Sequence, residues 1–199
     1  MSRLPSLALI GLVLLTGGCK RARGLLNVET DAATPLEASR EGPNGLVRAH
    51  YPRSFAANVQ GQSVVVLSRN VTLTEDEGIT LVSVETPISD DVQEFGRVVL
   101  DAEERKMTEI TRGYKESARR TTKCFGDDVG LETEATFVTT SGDTYFEWGC
   151  TFLHAGHGYS FKWVVTERSR PTHEALIRKI VSATELLEPK KPSSDPSSE

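Results

Sequence analysis

The chain has 199 residues, 38% of them hydrophobic and 26% charged, with a formal net charge of -5. That composition is typical of an ordinary soluble domain and excludes collagen-like, wholly disordered and multi-span membrane chains. Three cysteines with no C-x-x-C spacing exclude a disulfide-dense miniprotein, a common zinc finger and a thioredoxin-type pair. The negative balance excludes a general nucleic-acid binder, which needs a positive field to displace counterions from phosphates.

The chain opens with Met1-Ser2-Arg3, an apolar stretch from Leu7 to Leu15, and then Thr16-Gly17-Gly18-Cys19. A charged start, a short apolar run and small residues before a cut site are the physical parts of an export signal. The run is too short to span about 30 Å of hydrocarbon. Leu15-Thr16-Gly17-Gly18-Cys19 resembles the bacterial lipobox, with Thr16 where a leucine is usual. The resemblance implies cleavage after residue 18 and a diacylglyceryl group on the Cys19 thiol. Each acyl methylene buried in the bilayer adds about 0.8 kcal/mol, so several chains make a lasting anchor. The competing reading is a plain secretory signal with an incidental cysteine. Lys20 follows where an inner-membrane retention signal has aspartate, so the expected location is the bacterial cell envelope, at the outer membrane facing the periplasm. Lys20, Arg21 and Arg23 either touch anionic headgroups or simply form a solvated start to a tether.

Residues 19–44 show little hydrophobic periodicity and carry Pro35, Gly42 and Pro43 as breakers, which predicts a flexible tether. Residues 45–187 are the expected α+β domain. Residues 188–199, rich in proline and serine, cannot bury enough apolar surface to offset their ordering entropy and are expected to be disordered.

Within the domain, Leu46–Tyr51, Ser63–Leu67 and Ile79–Val84 are β-branched or alternating runs bounded by turn residues, and predict strands. Asp90 with Gln93 is a plausible capping pair. Val92, Phe95, Val99 and Ala102 then recur along one helical face. Strands are predicted over 114–124, 131–140, 144–154 and 159–167. A closing helix starts near Pro171, with Leu176, Ile177, Ile180, Val181 and Leu187 inward and Lys179 outward.

Hydrophobic faces set the expected register, because a slip of one residue reverses every side chain. Phe146, Trp148, Cys150 and Phe152 form one face. A two-residue turn at Ser141-Gly142 places Phe137, Ala135, Thr133 and Leu131 opposite them. A four-residue turn over 155–158 places Phe161, Trp163 and Val165 opposite Phe152, Cys150 and Trp148. The helices are expected on this face, with Glu132, Glu134, Glu147, Thr151, Lys162 and Thr166 on the reverse. Residues 105–123 hold seven Lys/Arg and two Glu, whereas residues 124–150 hold six Asp/Glu and no Lys or Arg. Consecutive strands of opposite charge predict cross-strand ion pairs worth tenths of a kcal/mol each, with a partner-binding patch as the alternative.

The entry segment Tyr51-Pro52-Arg53-Ser54-Phe55, two further strands, a helix, long antiparallel strands ending in Gly158-Tyr159-Ser160-Phe161-Lys162-Trp163, and a closing helix with Ile180-Val181-Ser182 together resemble the PsbP/Mog/DcrB-type fold over residues 46–187. The resemblance implies an antiparallel sheet with helices packed on it. It also implies a mostly non-enzymatic, protein-binding role in envelope, thylakoid or import settings.

No Gly-x-Ser-x-Gly elbow, Walker loop or His-Glu-x-x-His occurs in the chain, so the common hydrolase, P-loop and zincin chemistries have no starting point. No catalytic residue, metal ligand or cofactor is therefore assigned. His154 and His157 form an H-x-x-H in a Gly-rich turn but lack an evident third ligand. His50 and His173 are isolated, and Glu132 with Glu134 is a solvated edge rather than an acid/base pair.

With Cys19 consumed by lipid, Cys124 and Cys150 are the two thiols left in an oxidising compartment, which predicts a disulfide. A simple meander opposes it, because the intervening strand would hold the two Cα atoms about 9–10 Å apart where about 7 Å is the limit. Pairing therefore requires an irregular strand end near Phe125-Gly126. The leading functional expectation is a lipid-anchored, non-enzymatic envelope protein that binds another protein or an envelope component. The alternative is a small-molecule or metal-binding domain, conceivably an enzyme, using the sheet face or the His154/His157 turn.

Overall fold

The structure, a computed structural model, describes residues 33–42, 45–68, 78–84, 87–140 and 142–188. The proposed signal and Cys19 lie outside the described residues, as does the tail from residue 189.

In chain order the elements are β1 (Ala38–Glu41), β2 (Val47–Tyr51), β3 (Phe55–Gln60), β4 (Ser63–Ser68), β5 (Gly78–Val84), α1 (Val92–Ile110), β6 (Arg112–Phe125), β7 (Asp128–Val138), β8 (Thr144–His154), β9 (His157–Thr166), α2 (Arg170–Ser182) and β10 (Glu185–Leu186). They form an antiparallel α+β fold with a seven-stranded sheet in the order β3-β4-β5-β9-β8-β7-β6. A small sheet, β1-β2-β10, stands beside it. The small sheet takes in Ala38–Glu41, so the folded part of the chain reaches into the segment expected to be a tether.

The long strands form because β-branched and aromatic residues are frequent over residues 128–166, with Gly142-Asp143 and Ala155-Gly156 in the turns between them. The β8–β9 turn has two residues, not four. Ala155 and Gly156 both take positive φ, 47° and 77°, as a type I′ hairpin turn requires. His154 therefore faces His157, and Trp163 faces Trp148. This displaces the expected register by two residues and keeps the face.

The β7–β8 hairpin departs from expectation by one residue, and that reverses the face. A loop over 139–143, closed by Thr139 N–H donating to the Asp143 carbonyl, pairs Val138 with Thr144 and Phe137 with Tyr145. Leu131, Thr133, Ala135 and Phe137 thus share a face with Tyr145, Glu147 and Thr151. Glu132 and Glu134 lie on the side of Cys150 and Trp148, the opposite of the assignment from sequence.

The helices cover both faces instead of one. On one side, Leu176, Ile177, Ile180 and Val181 of α2 pack with Phe146, Trp148, Phe152, Phe161 and Trp163, and with Val47, Ala49 and Tyr51 of β2. On the other, α1 lies over β7, β8 and β9. Leu131 packs so close to Gly96 that a Cβ there would sit 2.8 Å from Leu131 Cδ1. Asp91, not Asp90, caps α1, its carboxylate accepting from Gln93 N–H at 2.8 Å. The buried helix face is Phe95, Gly96, Leu100 and Met107; Val92, Val99 and Ala102 are half-buried at its margin.

Candidate functional site

Three places in the fold bring chemistry-bearing side chains together, and two of them belong to α1. The first is an open groove of about 510 Å³ between the helix start and the sheet edge, lined by Gln93, Glu94, Arg97, Arg119, Arg120, Thr121 and Leu131. Its basic wall is the run that the charge count singles out, now on the edge strand β6. Arg119 bonds Glu116 at 2.8 Å and Asp101 of α1 at 2.7 Å. Those hydrogen bonds push its guanidinium pKa up and hold the Asp101 carboxyl below its usual range. Arg120 contacts Glu132 and reaches Glu134 at 3.2 Å, and Gln93 Nε2 donates to Thr121 Oγ1 at 3.1 Å. The expected ion pairs between oppositely charged strands are present here, so the two glutamates serve as counter-ions to one guanidinium. The groove is therefore polar, cross-tied and open, a shape suited to a protein surface more than to an enclosed small molecule.

The second place lies beneath α1. Lys162 of β9 contacts Glu103 of α1, and its Nζ stands 3.6 Å from Glu147 of β8. Sequence alternation places Glu147 and Lys162 on a reverse face, and they do share one, but α1 buries that face so that they are only 5% and 9% exposed. Burial pushes the Glu147 carboxyl up to about 7 and pulls the Lys162 ammonium down to about 7. The only sequence sign of this cluster is a charged residue at the centre of each of two strands that are otherwise rich in apolar side chains.

The third is the His154/His157 turn. The two imidazoles are cross-strand partners, and both meet Tyr159 edge-on. His154 Nδ1 lies 2.7 Å from Asp128 Oδ2, so this imidazole is engaged by a carboxylate. Among the described residues, no group of three or more His, Cys, Asp or Glu side chains is arranged to hold a metal ion. His50 is not isolated: its Nε2 meets Glu185 of β10 at 2.8 Å, and Arg48 donates to the same carboxylate at 2.9 Å. The His50 hydrogen bond, with Arg48 beside it, holds the Glu185 carboxyl below its ordinary range. Sequence spacing gives no hint of this pair, which lies 135 residues apart.

Cys124 and Cys150 stand at disulfide distance, with Cα atoms 5.6 Å apart. The geometric objection is met by an irregularity in β6: the register shifts between Lys123 and Phe125, so Cys124 leaves the ladder. It reaches over Gly130 of β7. A Cβ on Gly130 would lie 2.6 Å from the Cys124 sulfur and 2.3 Å from the Thr151 carbonyl. Only glycine lets the outer strand cross at this point.

No family model matches the chain, and no curated protein sequence matches it. The fold itself is that of the PsbP and Mog proteins. The chain superposes on the solution structure of cyanobacterial PsbP from Synechocystis with a TM-score of 0.56 and 13% identity, covering 86% of this chain and 99% of that one. It is similar to the Ran-binding protein Mog1p of Saccharomyces cerevisiae, with a TM-score of 0.50, 13% identity and coverage of 76% and 95%. It is also similar to LpqN of Mycobacterium tuberculosis, described as involved in cell envelope biogenesis, with a TM-score of 0.50, 10% identity and coverage of 71% and 83%. Among the described residues no helix is long and apolar enough to cross a membrane.

Proposed function

We propose that this chain is an exported bacterial lipoprotein, anchored through Cys19 at the outer membrane, whose α+β domain is a non-enzymatic module that binds another protein or an envelope component. The observation that carries the reading is a lipobox-like run placed ahead of a fold that is shared with a Ran-binding protein and with a protein of cell envelope biogenesis. The groove between α1 and β6 is the surface offered to the partner, since its arginines are held in fixed geometry and its mouth is open.

Two experiments test the two halves of the proposal. In cell fractionation, Cys19→Ser is expected to move the protein out of the membrane fraction or to leave it uncleaved. Unchanged membrane partition of the variant would refute the anchor. A photo-crosslinking residue at Thr121, in the groove, is expected to give a discrete adduct with one envelope protein in intact cells, and the same residue at Ser182 on α2 none. Identical patterns from both positions would remove the groove from consideration.

A further inference from the structure

Lys162, Glu147 and Glu103 come from three different elements and meet under a helix. The strand register places Lys162 opposite Gly149 and Glu147 opposite Val164 on one face. A Cβ at Gly149 would lie 3.0 Å from Thr133 Oγ1, so the position opposite Lys162 is tightly packed. Lys162 contacts Glu103 directly, and Glu147 lies 3.6 Å from the same nitrogen. Their side chains are 11%, 21% and 6% exposed for Lys162, Glu103 and Glu147, respectively. Apolar walls close the site on the Glu147 side, where Val164 packs with Met107 of α1, Phe137 and Tyr145, and with the partly buried Tyr114. Burial and the nearby Glu147 push the Tyr114 hydroxyl pKa up.

One ammonium between two carboxylates leaves an excess negative charge in a nearly dry place. Each ion buried this way costs several kcal/mol unless it is neutralised or well paired. One of the carboxyls must therefore hold a proton, and burial has already brought both the Lys162 and the Glu147 pKa to about 7. With Glu147 holding that proton, the Lys162–Glu103 contact pair is neutral overall, and it becomes a free amine beside a carboxylic acid when the ammonium proton crosses to Glu103. Contact of this kind also removes the entropic barrier that makes amide formation between free molecules slow.

We propose that Lys162 and Glu103 condense into an intramolecular isopeptide bond, with Glu147 transferring the proton. Lys162 Nζ, as the free amine, attacks Cδ of the protonated Glu103 carboxyl, and an N–C bond forms. The protonated Glu147 carboxyl gives its proton to the departing hydroxyl and takes one from that nitrogen. The C–O bond breaks, water leaves, and Glu147 returns to its starting form. One amine and one carboxylic acid become one amide and one water, with no oxidant and no activating co-reactant. The product ties α1 to the centre of the large sheet on the face opposite the Cys124–Cys150 pair, and it removes two buried charges at once. This inference stands apart from the lipid anchor and from any partner.

The test is mass spectrometry of the purified full-length protein, reduced and then digested. Wild type is expected to yield a branched peptide pair containing residues 103 and 162, lighter than the sum of its parts by one water. Lys162→Arg is expected to give only linear peptides. Glu147→Gln is expected to give a folded protein, checked by circular dichroism, with the same linear peptides. Linear peptides from the folded wild type after prolonged incubation at neutral pH would overturn the cross-link. A branched pair surviving in Glu147→Gln would overturn the role given to Glu147. The wild-type spectrum decides the cross-link even where a variant fails to fold.

Discussion

The ring of Phe95 on α1 rests on the backbone of Gly158 at the start of β9, so closely that a Cβ at position 158 would lie 2.2 Å from Phe95 Cζ. Phe95 is 1% exposed and cannot swing into solvent without losing its burial. This contact, together with Gly96 against Leu131, sets the height at which α1 sits over the sheet. Gly158→Ala must push the ring, and with it the helix, away from β9. The expected loss is about 1–3 kcal/mol, the usual cost of overpacking, read as a fall in the chemical-denaturation midpoint. A variant as stable as wild type would show that the helix slides without penalty.

The Cys124–Cys150 pair closes a sequence separation of 26 residues. Oxidised, it is expected to contribute about 2–4 kcal/mol, mainly by restricting the unfolded chain. Alkylation of the denatured, non-reduced protein should label neither residue. Reduction should expose both thiols and lower the melting temperature. Two reactive thiols without reductant would show that the sulfurs are close but unbonded.

Ile180 is fully buried beneath the aromatic strands, and Ser182, two residues later, is exposed. Ile180→Ala is expected to cost about 2–5 kcal/mol, whereas Ser182→Ala should stay within about 0.5 kcal/mol. Lys179 is a poor control, because its Nζ donates to the Thr34 carbonyl at 2.8 Å and is not the free outer residue that the helical pattern suggests. Equal melting shifts for the Ile180 and Ser182 variants would mean that α2 does not hold the core.

Glu147 gives the stability a pH dependence whose sign is fixed by its environment. Its folded-state pKa, about 7, lies above the ordinary value of 4.5. The folded chain therefore binds the extra proton, and the contribution is complete below about pH 4.5 and lost as pH rises through 7. The loss across that window is on the order of 3 kcal/mol. Glu147→Gln, which is neutral at every pH, should flatten the decline in unfolding free energy between pH 4.5 and 7. A variant with the same slope as wild type would place the titration elsewhere.

Element order was legible from the sequence because it follows from local causes. β-Branched runs, the carboxylate cap at the start of α1 and Pro171 at the start of α2 act within a few residues of themselves. The resemblance to the PsbP/Mog fold rests on that order, and the superposition on PsbP agrees with it. Three strands escaped: Phe55–Gln60 forms against β4, and two short strands escaped for the same reason in reverse. Ala38–Glu41 and Glu185–Leu186 carry no periodic pattern of their own and become strands only because β2 offers them an edge on each side.

What the sequence alone could not decide was which face of each strand is covered. Alternation reports a face only when one side meets water. Here α1 and α2 bury both sides, so every residue of β8 from Tyr145 to Phe152 is buried and the pattern loses its phase. The length of the loop over 139–143 then sets the register, and its five residues in place of the expected two shifted the pairing by one and turned Leu131, Ala135 and Phe137 over to the α1 side. The same long-range packing buried Glu147 and Lys162, expected on an outer face, and brought Lys162 into contact with Glu103, and a break in β6 together with the bare backbone of Gly130 brought Cys124 to Cys150. Local chemistry along the chain determined which elements form. The tertiary fold alone determined which charges and thiols meet, because those meetings depend on contacts between residues far apart in sequence.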